Sequence, residues 1–342
     1  MVADRYRIVK DVGLGTFGRV VECIDTKQEQ GHVDPTTGRR TDRVAIKVVR
    51  NIKRYYDSAL IEADIVQDVN RRGGRGLTLN SILYDRFALP TEHYCLVFEC
   101  LGPSLYDFIK KHDYRPFPLY CVRDFAQQLL EALEFLHSFQ LVHTDLKPEN
   151  ILLCTSEEVQ YRDDYDGSTQ MVPASTRIKI IDFGGATYDN EKKSSTICTR
   201  QYRPPEVILG LHPWSMQADL WSAACIIAEL YIGELLFGTH DNAEHLALIE
   251  RAVGPFPREM VSRATANGDV FDSRGLHRGR DVLSSSSYDH VRRMEPIEAI
   301  VCDHDRHSGL IELLHALLVI DPSRRATATE ALSDPVDGMF FK

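Results

Sequence analysis

The segment His143-Thr-Asp-Leu-Lys-Pro-Glu-Asn150 sets a carboxylate, a lysine and an amide in close succession, and Asp182-Phe-Gly184 adds a second carboxylate downstream. Asp145 can accept a hydrogen bond from an attacking hydroxyl and orient it for in-line displacement, and Lys147 can steady a transferring phosphoryl charge. Asn150 and Asp182 are hard oxygen ligands, suited to magnesium rather than to a soft metal. Upstream, Gly13-Leu-Gly-Thr-Phe-Gly18 leads into Val20, and Lys47 closes the run Val44-Ala-Ile-Lys47. Glycines let backbone N–H groups approach phosphate oxygens that a Cβ would block. A lysine ending a strand can neutralise nucleotide phosphates if a carboxylate holds it, and Glu62, which interrupts an apolar stripe, is the natural holder. Together these residues describe phosphoryl transfer from a nucleotide with magnesium.

Each piece alone has an ordinary structural reading. The glycines could form a tight turn or a dinucleotide site, but β-like Arg19-Val-Val-Glu-Cys23 follows them where a dinucleotide fold would open a helix. Lys47 and Glu62 could be unrelated surface charges. His143-Thr144-Asp145 could be a capped turn and Asp182-Phe-Gly184 a hairpin. Their order along one chain argues against coincidence.

The elements that must position these groups are legible from periodicity. Tyr6 to Val21 reads as a strand, a glycine turn and a second strand, and Thr26 to Arg43 as a long hairpin loop before the strand Val44 to Val49. Tyr55 to Val69 carries apolar residues at helical spacing. His93 to Glu99 is a short apolar strand, and Gly102-Pro103 looks like a joint. Beyond it the period becomes helical, with the long stripe Leu119 to Ser138 and buried helices over Asp219 to Leu230 and Leu310 to Leu318. Two short strands, Ile151 to Leu153 and Ile178 to Ile181, flank Glu157 to Arg177, which reads as a polar loop or disordered insertion. Met260 to Arg293 reads as a polar surface excursion. The expected class is α+β: a strand-rich lobe over 1–101 with one main helix, and a mainly helical lobe over 102–342.

The bulk numbers exclude several functions. The chain has 342 residues, more than one compact core usually supports. No apolar run approaches the ~20 residues of a membrane span, and Asp4, Arg5 and Arg7 leave no apolar signal-peptide core. Eight cysteines without a C-x-x-C pair suit reduced thiols in an intracellular protein. The formal charge of −10 argues against direct nucleic-acid binding and is compatible with a basic protein substrate. Acidic residues such as Asp163, Asp164 and Asp166 would attract such a substrate at long range, although a charge run is usually a solvated loop. Cys302-Asp-His-Asp-Arg-His307 has no partner pair at zinc-finger spacing, so it reads as an exposed loop.

From about Tyr6 to Arg325 the chain resembles the eukaryotic protein kinase superfamily at all these points. Pro205-Glu206 stands in place of A-P-E, Asp219-Leu-Trp-Ser222 in place of D-x-W-S, and Arg325 where an arginine pairs the buried glutamate. Glu244-His-Leu-Ala-Leu-Ile-Glu-Arg251 is similar to the E-H-L-A-M-M-E-R signature of the LAMMER (Clk-type) dual-specificity kinases, and His143-Thr-Asp145 is typical of that group. The run Ser195 to Arg203 looks like its activation segment and Phe98 to Gly102 like its hinge.

The resemblance implies a bilobal protein-kinase-like fold, with ATP and Mg2+ as cofactors. It implies nucleotide contacts from Gly13, Leu14, Gly15, Thr16, Gly18, Val20, Ala45, Lys47, Glu62, Phe98, Glu99, Leu101 and Leu153, and metal contacts from Asn150 and Asp182. Asp145 and Lys147 would be catalytic, with Phe98 as gatekeeper. Substrates would be Arg/Ser-rich splicing factors phosphorylated on Ser/Thr, with tyrosine autophosphorylation, by a monomer acting in the nucleus, the cytoplasm or both. The alternatives are a pseudokinase scaffold and a proline-directed relative. Threonine at 144 replaces the usual arginine that grips an activation-segment phosphate, which predicts activity without phosphorylation of Ser194, Ser195 or Thr196 unless Arg200 or Arg203 takes that part.

Overall fold

The computed structural model describes residues 1–15, 18–28, 31–34, 38–163, 165, 167–301, 304–333 and 340–341. Five antiparallel strands build the first lobe: β1 (Tyr6–Leu14), β2 (Gly18–Asp25), β3 (Arg43–Val49), β4 (Leu83–Ala88) and β5 (Tyr94–Glu99), in spatial order β1-β2-β3-β5-β4. Strand alternation decides what each face carries. In β3, Val44 and Ile46 turn into a cluster with Tyr6, Val21, Cys23, Cys95 and Val97, which leaves Ala45 and Lys47 on the opposite face. Gly18 opens β2 because a Cβ there would collide with the carbonyl of Val48 in β3. That glycine is therefore required by sheet packing as much as by any ligand.

Helix α1 (Lys53–Arg71) crosses behind the sheet. Ala59 and Ala63 pack on Val49, Tyr94 and Leu96, while Ile65, Val66 and Val69 join the core of the second lobe. Glu62 is the one charged member of its buried face.

The second lobe is mainly helical. Helix Leu119–His137 and helix Gln217–Ile232 form its centre, and nearly every residue of the latter is buried. Among the elements that escaped the periodicity reading are strand β4 and helix Leu105–Lys111, whose Ser104 caps it by accepting from Asp107 N. Both are short, with few apolar positions to set a period.

The insertion is ordered rather than a loop. Glu158–Arg162 pairs antiparallel with Thr169–Pro173 in a hairpin, with Val172 buried and the Tyr161 ring 5.2 Å from that of Tyr120. The strands show no clean alternation, with Val159 and Met171 exposed and burial confined to Val172 and Pro173, so the pattern was masked. Met260 to Arg293 is likewise more than a surface excursion: it begins inside helix Arg258–Ser262, contains helix Ser285–Arg293, and buries Met260, Val270 and Phe271. Asp164, Asp166, Cys302 and Asp303 lie outside the described residues.

Candidate active site

A cavity of about 860 Å³ opens between the lobes. Gly15, Gly18, Val20, Ala45, Lys47 and Glu62 line it from the first lobe, Phe98, Glu99 and Leu101 from the connecting segment, and Asp182 from below. Gly13 and Leu14 lie in β1 away from this lining, with Leu14 77% exposed, and Thr16 is outside the described residues. Leu153 needs correction. It is buried in the second-lobe core, and its neighbour Leu152 faces the cleft, because Ile151 and Leu153 share the opposite face of the strand Ile151–Leu153. Val12 and Asp107 also line the cavity and were missed. An apolar residue directly before the first glycine was the available signal for Val12; Asp107 gave none, since helix Leu105–Lys111 was itself unseen.

Lys47 Nζ lies 2.8 and 2.9 Å from the two Glu62 oxygens and 3.1 Å from Asp182 Oδ1. Residues distant in sequence therefore meet on one ammonium. Burial alone would lower the Lys47 pKa, but the charges of Glu62 and Asp182 outweigh it and raise the group above its ordinary value. For Asp182 the balance runs the other way: burial pushes its carboxyl up and Lys47 pulls it below the usual range. Asp182 also holds a left-handed backbone, φ 64°, which is costly for a non-glycine residue and is tolerated where surrounding contacts fix it.

The catalytic-loop candidates are held from beneath. The buried Asp219 carboxylate accepts from His143 N at 2.8 Å and from Thr144 N at 2.9 Å. His143 Nε2 donates to Ile181 O at 3.0 Å, and its ring meets Phe183 edge-on at 5.1 Å. Asp145 Oδ2 accepts from Lys147 Nζ at 2.8 Å. Burial would raise the Asp145 pKa, but hydrogen bonds from Lys147 and Thr199 hold it below the ordinary carboxylate value. Asn150 Nδ2 donates to Asp145 O at 2.9 Å, which leaves the amide oxygen as its ligand-capable end. That oxygen and the Asp182 carboxylate are a donor set of the hard type magnesium takes.

Thr144 has a positive φ of 70° and its hydroxyl donates to Gly185 O at 2.7 Å. A neutral hydrogen bond thus joins the catalytic loop to the start of the activation segment. Arg200 donates to Asn242 Oδ1, and Arg203 to the carbonyls of Ile197 and Cys198 at 3.0 and 2.9 Å. Neither cation is directed at Ser194, Ser195 or Thr196.

Residues 6–336 match the protein kinase domain family model. The chain is a protein kinase. It is 44% identical over 350 residues to serine/threonine-protein kinase AFC3 of Arabidopsis thaliana, an alignment spanning 100% of this chain and 83% of that protein. It is 39% identical to dual specificity protein kinase CLK2 of Homo sapiens, across 97% of this chain and 64% of that one, and 40% identical to dual specificity protein kinase lkh1 of Schizosaccharomyces pombe, across 97% and 47%. The crystal structure of the PF14_0431 kinase domain superposes with a TM-score of 0.85 at 36% identity, covering 100% of this chain and 96% of that one. These relatives place the kinase in the LAMMER (Clk-type) group.

The signature of that group falls on helix Asn242–Val253. His245, Leu246, Ala247, Leu248 and Ile249 are buried. Burial lowers the His245 pKa to about 3, with Arg203 and Arg200 adding to the effect, so the imidazole is neutral. Glu244 accepts from Thr239 Oγ1 at 2.6 Å and contacts His290 Nδ1 at 2.9 Å, Glu250 accepts from His277 N at 2.9 Å, and Arg251 donates to Met294 O at 3.1 Å. The charged residues of the signature therefore pin the 260–294 segment. Glu206 and Arg325, both 2% exposed, form a bidentate pair at 2.8 and 2.9 Å, as the sequence predicted.

Proposed function

We propose that this kinase transfers the γ-phosphoryl group of ATP to serine and threonine hydroxyls of Arg/Ser-rich proteins such as splicing factors, with tyrosine modified by autophosphorylation. The observation that carries it is the convergence of Lys47, Asp145, Lys147 and Asp182 around one cleft. In this reading the lobes are 1–101 and 102–342, and the enzyme acts as a monomer in the nucleus, the cytoplasm or both. Among the described residues no helix is long and apolar enough to cross a membrane.

Lys47, held by Glu62, binds the nucleotide phosphates; Phe98, Glu99 and Leu101 border the base. Asn150 and Asp182 would hold magnesium, which neutralises phosphate charge when bound. The ionised Asp145 accepts the hydrogen bond of the incoming hydroxyl and aligns it. Lys147 steadies negative charge as the phosphoryl group moves. Catalysis is then positioning plus electrostatics.

The formal charge of −10 supports the basic-substrate reading, because it attracts a cationic chain at long range. The dual-specificity names of CLK2 and lkh1 support the tyrosine component.

The test is Asp145→Asn with labelled ATP and a degenerate peptide library. The variant should lose turnover by orders of magnitude while binding ATP almost unchanged. The parent should select arginine around serine. Equal loss of rate and nucleotide affinity would make Asp145 structural, and a strict demand for proline after serine would move the chain to a proline-directed class.

A further inference from the structure

Lys193 stands between exposed Lys192 and exposed Ser194, yet only 9% of its side chain meets solvent. Its ammonium has several partners. Asp189 Oδ1 accepts from it at 2.7 Å, the carbonyl of Trp214 accepts from it as well, and Nζ sits 4.9 Å from the centroid of the Trp214 ring. Trp214 is 2% exposed and shares a cluster with Val142, Ile197, Cys198 and Val207. Its indole Nε1 donates to Ser194 O at 2.7 Å. Two consecutive residues just ahead of the run Ser195 to Arg203 therefore end on one tryptophan.

The contacts continue to the chemistry in both directions. Asp189 N donates to Gln140 O at 2.7 Å, just ahead of the strand Leu141–Val142 that enters the catalytic loop. On the other side, Cys198, packed on Trp214, donates from its backbone to Thr144 O at 2.8 Å. Thr199 N then donates to Asp145 Oδ1 at 3.1 Å. Elsewhere an activation segment is commonly ordered by a phosphate gripped by arginine. Here Thr144 offers no charge, and a desolvated cation over an indole face supplies an attraction that needs no covalent modification.

We infer that Lys193 is a positioning residue: with Trp214 it forms a clamp that sets residues 197–204 against the catalytic loop in place of a phosphate. The clamp acts through Cys198 and Thr199 and touches neither nucleotide nor phosphoacceptor. It holds the peptide-facing half of the site and leaves the nucleotide cleft alone.

This rests on the phosphotransfer reading above, and the measurements keep the two apart: the parent rate tests that reading, and the ratio of variant to parent tests the clamp. The phosphatase-treated chain is compared with Lys193→Met, Lys193→Arg and Trp214→Phe, using an Arg/Ser peptide. Lys193→Met keeps the stem and removes the charge. It should lower kcat about tenfold while the Kd for ATP and the melting temperature stay near the parent values. It should also speed cleavage within residues 189–199 by a non-specific protease. Lys193→Arg should recover most of the rate, because a guanidinium also stacks on an aromatic face. Trp214→Phe keeps a ring and loses the N–H donor, so it should fall between. Turnover by Lys193→Met within about twofold of the parent overturns the clamp. So does a parallel loss of rate, ATP affinity and melting temperature, or failure of Lys193→Arg to rescue.

Discussion

The hydroxyl of Thr199 donates to Asp145 Oδ1 at 2.7 Å, so the activation segment closes directly on the carboxylate proposed to orient the acceptor. Thr199 Oγ1 also lies 3.2 Å from Lys147 Nζ, which completes a triangle with the 2.8 Å contact between Lys147 and Asp145. Each member restrains the other two. Removing the hydroxyl leaves Asp145 held by Lys147 and by Thr199 N alone, a looser setting of the carboxylate against the acceptor. Thr199→Ala should therefore reduce kcat by roughly ten- to a hundredfold with little change in the KM for ATP, and Thr199→Ser should recover most of it. Steady-state kinetics with ATP and peptide varied separately will decide; a change confined to KM for ATP would refute this role.

Glu229 should give the enzyme a pH dependence near neutrality. Its carboxyl ionises at about 7 in the fold, chiefly through burial, against an ordinary value of 4.5. Between those values the folded chain holds a proton that the unfolded chain has released, so stability falls as pH rises across that window. Glu229→Gln should flatten that decline in thermal melts between pH 5 and pH 7 (a range of roughly this width follows from the two pKa values). Tyr202 donates to this carboxylate at 2.6 Å, and Glu229→Gln keeps an acceptor for that hydroxyl. A Glu229→Gln profile that declines as steeply as the parent's would assign the pH dependence to another group.

How much of this was legible in the sequence depended on the kind of signal. Glu62 was readable because a charge interrupts an apolar stripe, Lys47 because it closes a strand, and Asp145 and Asp182 because their short segments set oxygen ligands, a lysine and a glycine in a fixed order; the structure does bring the four together. Leu153 was misplaced because three successive apolar residues do not say which face of a short strand meets the cleft. The hairpin Glu158 to Pro173 was hidden because its buried positions are few and its exposed ones mix polar residues with Val159 and Met171, leaving no alternation to read. The role of Lys193 had no local signature at all. A lysine beside another lysine and two serines reads as solvated, and only the approach of Trp214, distant in sequence, buries it.

The Glu206–Arg325 pair should matter to stability and only indirectly to rate. Arg325 also donates to Gln217 O at 2.6 Å and Val319 O at 3.0 Å, and its guanidinium lies 5.1 Å from the Trp221 ring. Replacing one partner leaves the other charged and buried without its counter-ion. Arg325→Met should cost about 3–5 kcal/mol of unfolding free energy, measured by denaturant titration. Changing both residues to apolar side chains of similar volume should recover a good part of that loss. If the double variant is no better than Arg325→Met alone, the arginine acts through its carbonyl contacts rather than through Glu206.

Activity should not require a phosphate on Ser194, Ser195 or Thr196. The usual arginine position is Thr144, whose hydroxyl is engaged by Gly185 O. Arg200 and Arg203 are turned to Asn242 and to the carbonyls of Ile197 and Cys198. A phosphate at 194–196 would therefore meet neither arginine without breaking existing hydrogen bonds, and those bonds hold the segment that carries Thr199. Phosphatase-treated protein, verified by mass spectrometry, should keep its kcat within about twofold. Replacing Ser194, Ser195 and Thr196 together by alanine should have the same small effect. Abolished turnover after phosphatase treatment would mean that a cation reaches the segment after all, and Arg203→Ala would then identify it by removing the residual dependence on phosphate.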